Sequence, residues 1–513
     1  MMRKKIILFL LAIVAVLTFH AQQRPNILLI VSDDHAYQAI SAYGSKLAQT
    51  PHIDRIAKEG VLFQKAYVTN SICGPSRAVI LTGKYSHKNG FKDNEHSRFD
   101  GSQNSFIKEL GKNGYQTAWI GKWHLETEPQ GFDYWQILPG QGHYYNPDFL
   151  MMDGSRKRIE GYVSNVVEDV AEQWLDQRDR SRPFCLVIGH KATHRTWLPD
   201  TADMGLFDSV NFPLPDNFYD AYTGRKAAQV QDMSIEKTMI MGYDLKMFSG
   251  EVKDGNITRM NAAQRVAFDA YYQPIQQDLQ ARNLTGRALT EWKYQRYLRD
   301  YLSTAASLDR NIGRALDYLD RNQLTQNTIV IYLSDQGFYL GEHGWFDKRF
   351  MYEESFRTPM VMRYPGVVKS GTVNHNLLMN LDIAPTLLAA AGVTIPNDMQ
   401  GQSILPLVTH EKAKGREALY YHYYENGEHA VSPHLGIRTG RYKLIRFYKR
   451  VEGWELYDLR KDPAEMQNLY GKKGYEKITA DLKRQLDKLV EQYDDKEAGT
   501  ILRSEAGTPA KSF

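Results

Sequence analysis

The sequence predicts an α/β fold: a parallel sheet covered by helices on both faces, followed by a smaller α+β unit. Three observations carry this reading. Near-continuous apolar runs of strand length recur at Asn26–Ser32, 115–120, Phe184–Gly189 and 328–333, the pattern of strands buried on both faces. Helical segments such as 53–60 and 106–113 lie between them. Each run also ends in chemically capable residues: Asp33-Asp34-His35, Lys122-Trp123-His124, His190-Lys191 with His194, and Ser334-Asp335-Gln336. Open parallel sheets bind ligands at the carboxyl ends of their strands, so these clusters are expected along one edge.

Taken in order, residues 1–19 carry Arg3, Lys4 and Lys5 ahead of an apolar run at 6–17. That reads as a signal peptide, so removal of 1–21 and export to the periplasm or the medium are expected. No later stretch is long and apolar enough to cross a bilayer. With 64 Lys+Arg against 60 Asp+Glu and a net charge of +4, the chain has no basic block and no nucleic-acid partner is expected. Its 513 residues, 42% of them hydrophobic, suffice for a large domain at 24–410 and a smaller one at 411–500. Residues 302–319 form one apolar stripe, with Leu302, Ala305, Leu308, Ile312, Leu316 and Leu319 at helical spacing. Residues 200–300 are polar, spotted with aromatics and weakly periodic, and read as an elaboration around the site. A strand and turn follow at 361–366, then a helix at 381–392 with Gly392 as its stop. Short strands at 418–424, 435–439, 442–448 and 455–458, then an amphipathic helix at 475–493, make the antiparallel α+β unit. Residues 501–513 read as a tail.

Residues 71–90 are the stretch the rest is arranged around. Cys73 precedes Pro75, which favours the first turn of a helix, and Gly83 stops that helix. A helix N-terminus favours an anion, and Arg77 one turn in adds a positive fork. The other cysteine, Cys185, sits in an apolar strand and reads as core. In an oxidising compartment the two are also able to pair. Asp33, Asp34, Asp335 and Gln336 are oxygen donors suited to a hard dication, Ca²⁺ ahead of Mg²⁺. Read singly, Asp33-Asp34 is a turn or cap, each histidine is structural, and Lys348 is solvated surface. Read together, Arg77, Lys122, Lys348, His124 and His194 beside a metal make a site for an oxyanion or a leaving alkoxide.

Cys73-Gly-Pro-Ser-Arg77 followed by Leu81-Thr82-Gly83 resembles the signature of the type I sulfatases. So do Thr50-Pro51-His52-Ile53-Asp54, Gly121-Lys122-Trp123-His124, Ser334-Asp335-Gln336-Gly337 and Gly341-Glu342-His343-Gly344. The resemblance runs from about residue 24 to 469. It implies an alkaline-phosphatase-like mixed sheet sandwiched by helices and a hydrolase of sulfate esters. It implies that Cys73 is converted to Cα-formylglycine by a maturase reading the residues around it. Asp33, Asp34, Asp335, Gln336 and the modified Cys73 would hold Ca²⁺. Gln336 stands where relatives often carry Asn. Arg77, Lys122 and Lys348 would steady the hydrate and the sulfate, Asp335 would help activate the nucleophile, His194 would protonate the leaving oxygen, and His124 would act as a base. Thr193 replaces the usual Pro before that histidine.

The stretch Asp347-Lys348-Arg349-Phe350-Met351-Tyr352-Glu353 resembles the N-acetylglucosamine-6-sulfatase branch. It points to a sulfated glycan of host glycosaminoglycan or mucin type, with the 6-O-sulfate of N-acetylglucosamine or glucosamine as the target. Asp347 and Arg349 would then bind sugar hydroxyls, and His434 is expected to reach the same pocket from the small domain. Two other readings stand beside this one: a phosphatase or phosphodiesterase of the same superfamily, and a non-catalytic glycan-binding relative.

Overall fold

The structure, a computed structural model, describes residues 24–247, 255–410 and 412–504; the signal peptide expected at 1–21 lies outside them. Ten strands form one sheet. From edge to edge they are Thr372–Asn374, Val61–Phe63, Met360–Arg363, Thr328–Ser334, Asn26–Ser32, Phe184–Gly189, Gln116–Lys122, Tyr134–Leu138, Asp148–Met151 and Arg156–Arg158. Its centre, from Thr328–Ser334 to Tyr134–Leu138, is parallel as the sequence predicts. Its flanks are not: Met360–Arg363, Asp148–Met151 and Arg156–Arg158 run antiparallel to their neighbours. The sheet is therefore mixed, and its outer strands are short and in part polar, which blunts the edges.

Alternation along the central strands divides the core. Ile27, Leu29, Val31, Val187, Ile329, Ile331 and Leu333 face one side, with the helices Cys73–Thr82, Phe106–Lys112 and Ile383–Ala390. Leu28, Ile30, Leu186, Ile188, Val330 and Tyr332 face the other, with Pro51–Glu59, Val163–Gln177 and Gly286–Arg321. Cys185 is fully buried in the first layer, and Cys73 and Cys185 are unpaired thiols, so the disulfide alternative is not formed.

The stripe at 302–319 is the second half of a 36-residue helix, Gly286–Arg321. Its first half carries its buried face mainly on tyrosines, Tyr294, Tyr297 and Tyr301 with Leu298, beside the charges Arg296 and Asp300, so a stripe sought in aliphatics starts only at Leu302. A second long helix, Ala262–Arg282, opens with a capping box between Asn261 and Gln264. After residue 417 a four-stranded antiparallel sheet runs Ala418–Tyr423, His434–Thr439, Tyr442–Phe447 and Gly453–Asp458. The helix Glu476–Gln492 buries Leu482, Leu486 and Val490. Part of the expected tail is ordered instead: Lys496–Ser504 is helical and buries Ala498 and Gly499.

One buried carboxylate yields a stability prediction. Glu168, on Val163–Gln177, is 1% exposed and neither carboxylate oxygen has a hydrogen-bond partner. Burial pushes its pKa up from 4.5 to about 8, against a partial pull from Arg314. A folded pKa above the unfolded one means the native state binds the extra proton, so stability falls as pH rises between those values. Glu168→Gln is expected to match wild type at about pH 5 and to be more stable by a few kcal/mol at about pH 8.5. Thermal melts at the two pH values check this; equal pH slopes for both proteins would reject it.

Candidate active site

Strand register assembles the site. Ser32 pairs with Ser334, so Asp33-Asp34 and Asp335-Gln336 leave adjacent strand ends side by side. Gly121 and Val31 both pair with Gly189, which sets Lys122 and His190 level with Ser32. Backbones press together here: a Cβ on Gly121 would lie 2.1 Å from the Gly189 carbonyl oxygen, and Gly121 has φ +96°. The helix Cys73–Thr82 points its N-terminus at this edge, with Cys73 in its first turn and Gly83 closing it in the left-handed conformation at φ 65°. Asp34, His124, Asp347 and Arg349 all have positive φ, at 63°, 56°, 76° and 94°. Such strain clusters where geometry serves function.

Carboxylate oxygens of Asp33, Asp34 and Asp335 lie within 4.8 Å of one another, and so do ligand atoms of Asp33, Cys73 and His194. Asp33 Oδ1 and Gln336 Oε1 are buried acceptors with no hydrogen-bond partner. Converging hard oxygens with unused lone pairs suit a dication such as Ca²⁺. The Gln336 amide donates to Asp34 Oδ1 and lies 3.9 Å from Cys73 Sγ.

Three cations surround this acidic set. Arg77 Nε donates to Asp335 Oδ2 at 2.9 Å and its Nη1 to the Lys122 carbonyl at 3.0 Å. Lys122 Nζ donates to Asp33 Oδ2 and, at 2.5 Å, to Gln141 Oε1. Lys348 Nζ donates to Asp34 Oδ2 at 2.6 Å. Burial alone would raise the Asp33 carboxyl, but Lys122, His194, Arg77 and Lys348 together hold it well below the usual range. Asp34 rises to about 6 through burial, against Lys348, and Asp335 to about 7 through burial and the neighbouring Asp33. Burial pushes the Cys73 thiol up to about 12, so it is not a thiolate nucleophile at neutral pH.

His194 Nδ1–H donates to the Arg195 carbonyl at 2.7 Å. Burial, reinforced by Lys122 and Lys348 against Asp33, pushes its pKa well down, so the resting ring is neutral. A cavity of about 340 Å³ opens over Asp34, His194 and Lys348, walled by Gln141, Trp197 and Phe346. Asp347 and Arg349 also line it. The C-terminal unit braces both: His429 Nε2 is 2.8 Å from Asp347 Oδ2, and Glu425 Oε1 accepts from Arg349 at 2.6 Å.

The structure does not bring His434 to the pocket. The residue is fully buried, its Nε2 accepts from the Met351 amide at 3.0 Å, and its ring stacks on Phe350 and Tyr421. It begins a central strand of the small sheet, whose side chains pack rather than face the cleft. His434→Ala is therefore expected to cost about 2–4 kcal/mol of stability, from a lost ring and an unpaired amide. The ratio of kcat/KM for sugar against aryl sulfate should not move; a selective loss on the sugar would contradict this.

Sequence reasoning missed Gln141, Arg195, Glu425 and His429. Gln141 alone had a readable signal: Gly140-Gln141-Gly142 directly follows the strand Tyr134–Leu138 at the same sheet edge. Glu425 and His429 act from more than 70 residues away, across a contact no local pattern reveals.

The parallel centre of a mixed sheet ending in an acidic oxygen set, ringed by buried cations and capped by a helix N-terminus, defines a hydrolase site for an anionic ester. The chain belongs to the sulfatase family, whose sequence model matches residues 25–393. A model described as N-sulphoglucosamine sulphohydrolase, C-terminal, matches 341–492. An N-acetylglucosamine-6-O-sulfatase of Bacteroides thetaiotaomicron is 48% identical over 489 residues, covering 92% of this chain and 87% of that protein. A protein solved in complex with its substrate D-glucosamine-2-N,6-O-disulfate has a TM-score of 0.90 at 48% identity, over 92% of this chain and 99% of that one. The phosphonate monoester hydrolase of Agrobacterium radiobacter, at TM-score 0.67 and 18% identity over 92% of this chain and 96% of that one, shares the fold.

Proposed function

We propose that this sulfatase removes the 6-O-sulfate from N-acetylglucosamine or glucosamine residues of glycosaminoglycan or mucin-type glycans. The observation that carries the reading is likeness along nearly the whole chain, at 48% identity and TM-score 0.90, to a protein solved with a 6-O-sulfated glucosamine. The pocket supports it: Asp347 and Arg349 flank the sulfate-facing Lys348 and present paired polar groups to a sugar. A site built to hydrogen-bond hydroxyls rejects a misplaced one strongly.

Cys73, oxidised to Cα-formylglycine by a maturase and hydrated, would supply the hydroxyl nucleophile, with Ca²⁺ (or Mg²⁺) held by Asp33, Asp34, Asp335, Gln336 and the modified residue. Arg77 and Lys122 hold the nucleophile's end of the site, and Lys122 with Lys348 neutralises the sulfate oxygens. Asp335 accepts the nucleophile's proton at its carboxylate. His194 Nε2 holds the proton destined for the sugar O6, once the sulfate has brought its negative charge beside the ring, and His124 would take the proton of the hydrate's second hydroxyl, so that the C–O bond to sulfate breaks, sulfate leaves and the aldehyde returns. Gln141, Trp197 and Phe346 wall the cavity and limit water. Export with loss of residues 1–21, a catalytic unit over 24–410 and a C-terminal unit over 411–500 complete the reading.

The test is release of sulfate from N-acetylglucosamine 6-sulfate beside 2-, 3- and 4-sulfated monosaccharides. Turnover of the 6-sulfate at least 100-fold above the others is expected. Preference for another position would reject the assignment, and faster cleavage of an aryl phosphate than of the aryl sulfate would favour a phosphatase.

A further inference from the structure

We propose that Asn94 is a positioning residue for the nucleophile. Its side-chain oxygen fixes the peptide bond between Cys73 and Gly74, and Glu425 ties that fixture to Arg349 on the sugar side of the cavity. This rests on the reading of the site as a sulfatase whose nucleophile is made from Cys73. It extends that reading by joining the sugar contact to the alignment of the nucleophile.

The helix Cys73–Thr82 has no cap of its own. Ile72, the residue before it, offers no side-chain acceptor. The first N–H groups of a helix need acceptors from outside it. The Gly74 amide finds one 20 residues away, at Asn94 Oδ1, 3.2 Å distant. An N–H only donates, so the carboxamide atom it meets is the oxygen. The Gly74 nitrogen belongs to the planar peptide that begins at the Cys73 carbonyl carbon. Holding that plane restrains the backbone torsion of residue 73, and with it the aim of its side chain. Gly74 is what admits the contact: a Cβ there would lie 2.6 Å from Asn94 Oδ1 and 2.5 Å from the Phe91 ring.

Asn94 is itself held from several sides. Asp93 Oδ1 accepts from the backbone amides of Glu95, His96 and Ser97, and Ser97 Oγ from those of Lys92 and Asp93. The Asn94 backbone amide donates to Glu425 Oε2 at 3.1 Å, while Glu425 Oε1 accepts from Arg349 at 2.6 Å. Each oxygen of this buried carboxylate is thus committed to a different partner. Asn94, Arg349 and Glu425 line the same cavity as Lys348 and His194. A glutamine at 425 would have one acceptor oxygen for two donors. Arg349 would take it, because charge-assisted bonds are the stronger, and the link to Asn94 would be lost.

The test measures kcat and KM on an aryl sulfate and on N-acetylglucosamine 6-sulfate, with rates normalised to the fraction of residue 73 converted, read from peptide mass. Asn94→Ala is expected to lower kcat about 10-fold on both substrates with KM within about twofold, the signature of a nucleophile held less well. Asn94→Asp keeps the acceptor and is expected to bring kcat on the aryl sulfate to within about threefold of wild type. Glu425→Gln is expected to lower kcat on both substrates about three- to tenfold. Hydrogen–deuterium exchange of the peptide spanning residues 71–77 reads the contact without turnover. Its exchange is expected to rise about threefold or more in Asn94→Ala and to return toward wild type in Asn94→Asp. Unchanged exchange in Asn94→Ala, or an Asn94→Asp variant as impaired as Asn94→Ala, would overturn the proposal. Wild type that turns over no sulfate ester would sink the sulfatase reading instead, while the exchange still decides whether Asn94 holds the Gly74 amide.

Discussion

His194→Ala is expected to lower kcat on a 6-sulfated sugar by about 10³-fold while lowering turnover of an activated aryl sulfate tenfold or less. The difference comes from the leaving group. A sugar O6 departs as a strongly basic alkoxide and needs a proton in the transition state; a nitrophenolate does not. In the proposed reaction His194 would supply that proton: its Nδ1–H is held by the Arg195 carbonyl, which leaves Nε2 as the nitrogen able to act. Its loop is tied down from behind. Arg195 forms a two-pronged pair with Asp244 at 2.6 and 2.9 Å. Lys246 Nζ, fully buried, donates to the Trp197 carbonyl at 3.0 Å and to Asp300 at 3.1 Å. The polar region 200–300 thus has a physical task, which is to anchor the His194 loop to the helix Gly286–Arg321. Equal losses on both substrates would mean that His194 acts on binding or folding and not as the acid.

Cys73→Ala is expected to remove activity on both substrates by 10³-fold or more, since in the proposed reaction the modified Cys73 supplies the nucleophile. The fold should survive. Cys73 is 1% exposed, but its polar contact at Sγ is long, 3.9 Å from Gln336 Nε2, so its loss strands no strong hydrogen bond. Removing one buried sulfur costs about 1 kcal/mol. Unfolding midpoints and kcat measured on the same preparation check both halves. Substantial residual turnover would place the nucleophile elsewhere.

Much of this site is legible in the sequence, for a physical reason. Central parallel strands are apolar throughout and stop abruptly where polar chemistry begins, so Asp33, Lys122, His190 and Asp335 announce themselves as strand ends. Parallel register then sets those ends level, as Ser32 against Ser334 demonstrates. What was not readable depends on contacts made across the chain. The helix Gly286–Arg321 builds the buried face of its first half from tyrosines and ion pairs, whose polar atoms mask the stripe that aliphatics show further on. The sheet's antiparallel flanks are short strands of mixed polarity, such as Arg156–Arg158 with every residue exposed. His434 had the chemistry of a ligand-binding residue and the location of a packing one; only burial against Phe350 and Tyr421 separates the two. Gln141 has the position of a strand-end residue in the sequence, but its contacts with Lys122 and His124 on either side of its amide show only in the fold.

The central claim is that Cys73 is a precursor and that the working group is an aldehyde. The direct measurement is the mass of the peptide carrying Cys73, taken from active protein purified from its native host. The account predicts the mass of Cα-formylglycine or its hydrate, in a fraction that tracks specific activity across preparations. Fully active protein carrying only the unmodified thiol at Cys73 would contradict it.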